Sequence, residues 1–432
     1  MNSSSTLLRS LLVETKDGEW GQPEPFDGSV EMAVIRGTDF ETAKKSSLEG
    51  VPVRHIAYKA AGRKTLQAFD ILIETAGGSK GKPTGKTTFL RPALFERSVL
   101  PITCASFARF LRIDATRADP EFVYWYLQSL YLSGVIENYQ VQHTGIARFQ
   151  FTKFADSVEI DLPPMDEQVK VSAFLGAIEN RISLLGETNA TLETIAQALF
   201  KSWFVDFDPV RAKAEGLEPE GLDVATAALF PCSFDESALG GIPRGWKVGS
   251  LSEVCSISSG KRPSIRSDIP IDYCDVPLFG GAGLMGYTSN SLFQSPKIVT
   301  GRVGTLGKVH VAYPPFWASD NVLVLHPEAS ASFSFVLHWL KSIDVIALNR
   351  GSTQPLLTQR DLGAQQGVIP TQEVLQKFEG VVGPIYDQIR LQETKAQTLT
   401  QLRDTLLPRL ISGQLRLPEA KATTEKILSE AI

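Results

Sequence analysis

MDEQVKVSAFLGAIENRISLLGETNATLETIAQALFKSW, residues 165–203, decides how this chain is built. Val171, Leu175, Ile178, Ile182, Leu185, Leu192, Ala196, Leu199 and Trp203 recur at alternating spacings of four and three, with Asn189 the polar member of the series. A seam of that period, held for more than four heptads, predicts a coiled-coil helix. Pro163 and Pro164 precede it, and Asp166 with Glu167 places negative charge at the positive end of the helix dipole. At 1.5 Å per residue the helix would be about 58 Å long, which requires a partner.

The partner lies 207 residues downstream. At that offset Val171, Leu175, Ile178, Ile182, Leu192, Leu199 and Trp203 fall on Phe378, Val382, Ile385, Ile389, Leu399, Leu406 and Leu410. Asn189 falls on Ala396 and Ala196 on Arg403, and a polar seam residue can set register at some cost in stability. Upstream, FVYWYLQS (122–129) matches FVLHWLKS (335–342) at an offset of 213, and each copy ends in a proline-marked helix entry, IDLPP from Ile160 and GVIP from Gly367. A period near 210 residues exceeds any solenoid unit and reads as a duplicated domain-plus-helix. A whole domain and a connector intervene between the helices, so the two copies can relate by an approximate two-fold axis and the helices should run antiparallel. Gly383 and Pro384 should make the first turns of the second helix irregular.

With 432 residues, 43% hydrophobic and 21% charged, the composition is that of a soluble chain of two or three domains. No run of 18 apolar residues and no leader pattern occurs, so a cytoplasmic protein without a membrane partner is expected. Cys104, Cys232, Cys255 and Cys274 form no CxxC pair, and His55, His143, His310, His326 and His338 form no HExxH; structural zinc and a disulfide framework are not expected. The net charge is −5, yet residues 41–112 hold thirteen Lys or Arg against five Asp or Glu. Residues 244–310 hold a second basic excess, of four, and each excess falls in one copy of the repeat. Two positive patches on an acidic frame suit two contacts with a polyanion.

Three motifs invite an enzymatic reading and fail on context. AGGSKGKPTGKT (76–87) ends like a P-loop, but Lys80 stands where the leading glycine belongs, and TTFLRPALF after it reads as extended chain. GAGLMG (281–286) matches GxGxxG but is followed by the polar turn YTSNS rather than a helix. YPPF (313–316) resembles the motif of DNA amino-methyltransferases, with Tyr313 in place of the Asn or Asp that accepts from the target amino group. A stand-alone DNA amino-methyltransferase is the alternative these residues raise. The segment 205–244, rich in Pro, Gly and acidic residues, reads as a connector with a short helix near 224–229.

The chain resembles, along nearly its whole length, the specificity subunit of type I restriction-modification enzymes. The stretches that carry the resemblance are LETIAQALFKSWFVDFDPVRAKAEG (192–216), PLFGGAGLMGYTSN, IVTGRVGTLGKV and PFWASDNVLVL in the second copy, RGSTQPLL (350–357) and LRDTLLPRLISGQL (402–415). TGIARFQ (144–150) is the less literal counterpart of GSTQPLL in the first copy. The resemblance implies an α+β fold with two target-recognition domains, each a mixed twisted sheet with few helices. Two long antiparallel coiled-coil helices separate them, in a pseudo-two-fold internal duplication. The expected boundaries are 1–164 for the first recognition domain, 165–204 for the first helix and 205–244 for the connector. The second recognition domain spans 245–369, the second helix 370–413 and a tail 414–432. It implies a non-catalytic subunit that reads a bipartite site in double-stranded DNA and docks two methyltransferase subunits and, through them, motor-nuclease restriction subunits. S-adenosylmethionine, ATP and Mg would reside on those partners, and this chain would bind no cofactor or metal.

Clustered charge in glycine-rich loops nominates Lys80, Lys82 and Lys86 in the first domain, and Lys261, Arg262, Arg302 and Lys308 in the second, as phosphate contacts. Arg148, Arg350, Ser352, Thr353 and Gln354 are the candidates for base reading, because Arg and Gln can make bidentate contacts to guanine and adenine. The pairs Trp125 and Tyr126, and His338 and Trp339, lie at apolar helix positions and are expected in the core.

Overall fold

The computed structural model describes residues 4–77, 83–143, 146–328, 333–351 and 353–430. It divides into two compact units, residues 1–187 with 392–432, and residues 188–391.

In the first unit a four-stranded sheet has the order Leu12–Asp17, Ala108–Ile113, Ile71–Glu74, Thr87–Phe89, every neighbouring pair antiparallel. A three-stranded sheet sets Ser29–Ile35 between Val53–Ala57, antiparallel to it, and Ile102–Cys104, parallel to it. Strand alternation feeds two cores from one sheet. Ile71, Ile73, Leu111 and Ile113 join Phe122 and Trp125 on one face, while Leu72 and Phe110 join Phe40 and Leu94 on the other. Ser4–Leu7 pairs antiparallel with Glu159–Leu162, which leads straight into the first long helix.

The second unit repeats this plan. Its four-stranded sheet runs Cys255–Ser259, Val322–Pro327, Lys297–Gly301, Val309–Ala312, again antiparallel throughout. Val276–Gly280 lies between Gly283–Thr288, antiparallel, and Trp317–Ala318, parallel. Lys247–Ser250 pairs with Gln366–Ile369, which leads into the second long helix. The same alternation sends Ile298, Leu323 and Leu325 to one core and Val299, Val322 and Val324 to another. Equal strand orders with equal senses make the duplication a property of the fold.

The first long helix spans Met165–Phe204 and the second Gln372–Ile411. In the first unit Glu179 pairs with Arg403, and Ile178 and Leu185 cluster with Leu399. In the second, Asn189 donates to the Ile389 carbonyl (3.3 Å), Tyr386 donates to Glu193 (3.3 Å), and Trp203 packs on Phe378 with ring centroids 5.6 Å apart. Numbers rise along one helix as they fall along the other, so the helices are antiparallel. Each compact unit contains half of each helix, because seam residues complete the domain cores. Leu175, Leu402, Leu406 and Leu410 pack with Phe122 and Trp125, and Trp203, Phe378 and Val382 pack with Phe335 and Trp339.

One expectation is corrected, and two segments show more structure than their sequence patterns alone indicate. The second helix runs unbroken through Gly383 and Pro384, where irregular turns were expected. Its neighbours Val382 and Ile385 pack on the domain core, which offsets one missing hydrogen bond. The connector is more ordered than its composition implies. It holds the helices Asp208–Ala214 and Val224–Ala228 and the hairpin Phe234–Ser237 with Gly240–Pro243. Phe207, Val210 and Phe230 anchor it in the second unit's core. The tail forms a helix, Leu417–Glu430, whose Ala420 is buried in the first unit's core. Among the described residues no helix is long and apolar enough to cross a membrane.

Candidate nucleic-acid interface

In the second unit, three loops meet beyond one end of the four-stranded sheet. Gly260 donates its backbone N–H to Val322 and Lys261 donates to Ala318 (2.9 Å); a Cβ on Gly260 would stand 2.1 Å from the Ser319 carbonyl oxygen, so only glycine fits. Arg302 donates its backbone N–H to Asn321 (2.8 Å), the other arm of the same turn, and its carbonyl accepts from Leu357 (2.8 Å). Lys261 and Arg302 are thereby fixed about one turn, and Arg302 is tied to the 349–357 loop.

That loop is organised by Asn349. Its Oδ1 accepts from Gly351 and Leu356 (both 2.9 Å), and its Nδ2 donates to the Gly351 carbonyl. A Cβ on Gly351 would lie 1.7 Å from the Gln354 carbonyl oxygen. The result lifts Thr353 and Gln354 into solvent, with the Gln354 side chain toward Gly304 of the 301–308 turn. Arg350 is exposed and pairs through Nε and Nη2 with Asp361 (3.2 and 3.0 Å). One edge of its guanidinium is spent and its plane is held; Nη1 remains for a ligand. This pairing raises the Arg350 pKa and lowers that of Asp361.

Arg302 donates through Nη1 to Ser259 Oγ (3.3 Å), while its buried Nε has no partner among the described residues. Ser259 Oγ in turn lies 2.8 Å from the Gln359 carboxamide oxygen, and the Gln359 nitrogen donates to the Ile257 carbonyl (3.3 Å). Ser259 and Gln359 were missed in the sequence, because Ser and Gln in isolation carry no pattern. The structure thus brings Lys261, Arg302, Arg350, Thr353 and Gln354 to one loop cluster. Arg262 is exposed beside Lys261, and Lys308 is exposed at the end of the 301–308 turn, where Thr300 Oγ1 donates to its carbonyl (2.9 Å). Ser352 lies outside the described residues.

In the first unit Phe149 donates its N–H to the Thr75 carbonyl (2.9 Å), the counterpart of the Leu357 to Arg302 bond. Gly18 matches Gly260, with a built Cβ 1.9 Å from the Cys104 carbonyl oxygen. Arg148 is exposed on the strand Ile146–Phe149 at this equivalent place. Lys86 is exposed and its charge faces Glu74, whose carboxyl burial pushes up while Lys86 and Thr84 partly offset the shift. Lys80 and Lys82 lie outside the described residues.

Charge counted along the sequence overstates the first patch. Lys44, Lys64, Arg91, Arg109 and Arg112 pair with Glu179, Glu19, Glu121, Asp17 and Glu14, none of which lies within 41–112. In the second patch Arg244, Lys247 and Arg266 are paired. Lys261, Arg262, Arg302 and Lys308 have no carboxylate partner among the described residues, which leaves the loop cluster cationic.

The decoy motifs acquire definite structures. GAGLMG forms the turn and first strand residues of the hairpin Val276–Gly280 with Gly283–Thr288, so no helix N-terminus faces it. The residues after Lys86 form the strand Thr87–Phe89. Tyr313 of YPPF lies under the Arg390 guanidinium, 4.4 Å from the ring centroid. Trp125, His338 and Trp339 are buried core residues, and Tyr126 is partly buried. Among the described residues no cluster of His, Cys, Asp or Glu could hold a metal ion.

Residues 243–406 match the family model of the type I restriction modification DNA specificity domain. The chain is 28% identical over 320 residues to the type I restriction enzyme HindI specificity subunit of Haemophilus influenzae, covering 60% of this chain and 69% of that protein. It is 25% identical over 319 residues to the type I restriction enzyme MjaIX specificity subunit of Methanocaldococcus jannaschii, covering 68% and 69%. Its fold is similar to the crystal structure of the type I restriction-modification system S subunit from M. genitalium, with a TM-score of 0.56 at 16% identity, over 95% of this chain and 96% of that one.

Proposed function

From a chain that belongs to the type I restriction-modification specificity subunits, we propose a protein that reads a bipartite DNA site, one half with each of its two duplicated domains. The observation that carries this reading is the repetition of one topology with cation-bearing loops at the equivalent sheet end. A DNA-specificity role is common to the relatives; the two half-sites are our inference from the duplication.

Phosphate contacts from Lys86, Lys261, Arg262, Arg302 and Lys308, with Lys80 and Lys82, would position the duplex. Arg350, Ser352, Thr353 and Gln354 would read base edges, Arg350 in a plane held by Asp361. The long helices would dock two methyltransferase subunits and, through them, motor-nuclease subunits. S-adenosylmethionine, ATP and Mg would then act on those partners. The chain itself would bind no cofactor and would work in the cytoplasm.

Methylome sequencing of the host with and without the gene tests the proposal. The expected result is loss of adenine methylation at one motif with two specified halves and an unspecified spacer. Methyl transfer by the purified chain alone would instead support the amino-methyltransferase reading.

A further inference from the structure

The first unit has a cavity of about 720 Å³, lined among others by Asp17, Phe107, Arg109, Arg148, Lys153 and Asp156. That volume lies within the roughly 300–1,000 Å³ of ordinary ligand sites. Its charges are unevenly spent. Asp17 takes both Nε and Nη2 of Arg109 (2.9 and 2.6 Å), and Asp156 accepts from Arg9 (2.8 Å). Arg109 is further stacked over Phe151, 4.7 Å from the ring centroid. Both carboxylates are thereby neutralised. Arg148 and Lys153 are exposed, and among the described residues neither side chain makes a hydrogen bond or ion pair. Phe107, 59% exposed, supplies an apolar shoulder beside them.

We infer that this cavity seats a backbone phosphodiester of the DNA strand, with Arg148 and Lys153 as its cationic contacts and the sugar against Phe107. This rests on the DNA-reading function proposed above and deepens it. Two surplus cations with no carboxylate of their own call for an anionic ligand, and a phosphate accepts hydrogen bonds from many directions. Base reading makes a stricter demand, because a bidentate contact needs a guanidinium held in plane, as Asp361 holds Arg350. Nothing among the described residues holds Arg148 in that way. Arg148 thereby passes from base reading to phosphate contact, joined by Lys153, which no sequence pattern marks. The location agrees, since the bond from Phe149 to Thr75 puts the cavity where the second unit places Arg302 and its loop cluster.

The test uses the full chain with its partner subunits and duplexes carrying the mapped motif, unaltered or with single substitutions in each half. Arg148→Ala and Lys153→Ala should each raise Kd by the same factor, on the order of threefold to tenfold, on every duplex. Each should also reduce the slope of log affinity against log salt by about 0.9. Lys153→Arg should retain affinity, and unchanged thermal midpoints would exclude a folding defect. A changed base preference in either variant would overturn the assignment in favour of base reading, and unchanged Kd with an unchanged slope would overturn it in favour of a solvated face. A wild-type complex that binds all duplexes equally would instead sink the functional reading itself.

Discussion

Glu179 and Arg403 form an ion pair across the seam of the two long helices, in the first unit, with side chains only 9% and 14% exposed. Lys44 of the neighbouring sheet domain adds a second bond to the same carboxylate (2.8 Å), and Arg403 is shared with Asp404 (2.7 Å). The Arg403 side chain stands at a seam position that is Ala196 in the other copy, so a polar group replaces a small one only where a carboxylate awaits it.

Arg403→Ala should destabilise the protein by about 3 kcal/mol, the lower end for breaking a buried pair because Lys44 still partners Glu179. Burial pushes the Glu179 carboxyl up, but Lys44 and Arg403 outweigh it and hold it below the usual value of 4.5. Its contribution is therefore full above that value and is lost as pH falls through the lowered one. Urea denaturation against pH should show a shallower acid-side loss in Glu179→Gln; an unaltered acid profile would contradict the pairing.

His338 should make the second unit acid-sensitive. It is 2% exposed, stacks on Phe200 and lies 3.0 Å from the Tyr386 hydroxyl. Burial, with the nearby Lys341 charge, pulls it down from 6.5 to about 4, against the opposing pull of Glu193. The folded state resists protonation, so stability is full above 6.5 and declines as pH falls toward 4, by about 3 kcal/mol in total. His338→Phe should flatten that decline in thermal melts. A wild-type protein equally stable at both ends of the window would refute this.

Gly351→Ala should abolish selectivity for one half-site while leaving the melting temperature nearly unchanged. The added Cβ meets the Gln354 carbonyl oxygen at 1.7 Å, so the turn must open, yet Thr353 and Gln354 at its tip are exposed while the core anchor Leu357 lies beyond the turn. Gln354→Ala should relax the same half-site by roughly 1–3 kcal/mol for one lost bidentate contact, and Lys308→Ala should weaken all sequences alike. Binding to a panel of substituted duplexes separates these outcomes; uniform weakening by Gln354→Ala would remove that residue from base reading.

If the helices act as a spacer, one heptad inserted after Leu185 and another after Gln392 should lengthen the unspecified gap in the motif. Seven residues add about 10.5 Å of helix, close to three base pairs at about 3.4 Å each. Three base pairs turn the duplex by roughly 100°, whereas a heptad drifts by about 20°, so affinity should fall, with two added pairs the competing optimum. Methylation of the original spacing at wild-type efficiency by the lengthened protein would end the spacer model.

By itself the sequence determined the two long helices, their antiparallel sense, the duplication and the core placement of Trp125, His338 and Trp339. Those are legible because heptad spacing and apolar runs are local patterns, and a repeat can be read by sliding the chain along itself. It also excluded a P-loop at Lys80 by one position. The tertiary structure alone decided which cations remain available. Arg109 is matched by Asp17 from 92 residues away, and Gln359 meets Ser259 from 100 residues away. Coulombic and hydrogen-bond energies depend on distance through space, and strand pairing sets those distances. A count along the chain sums charges that the fold has already cancelled. The same reason explains why Arg148, one of five candidates for base reading, is assigned by its lack of a buttress, and why Lys153 stayed invisible until the cavity was built around it.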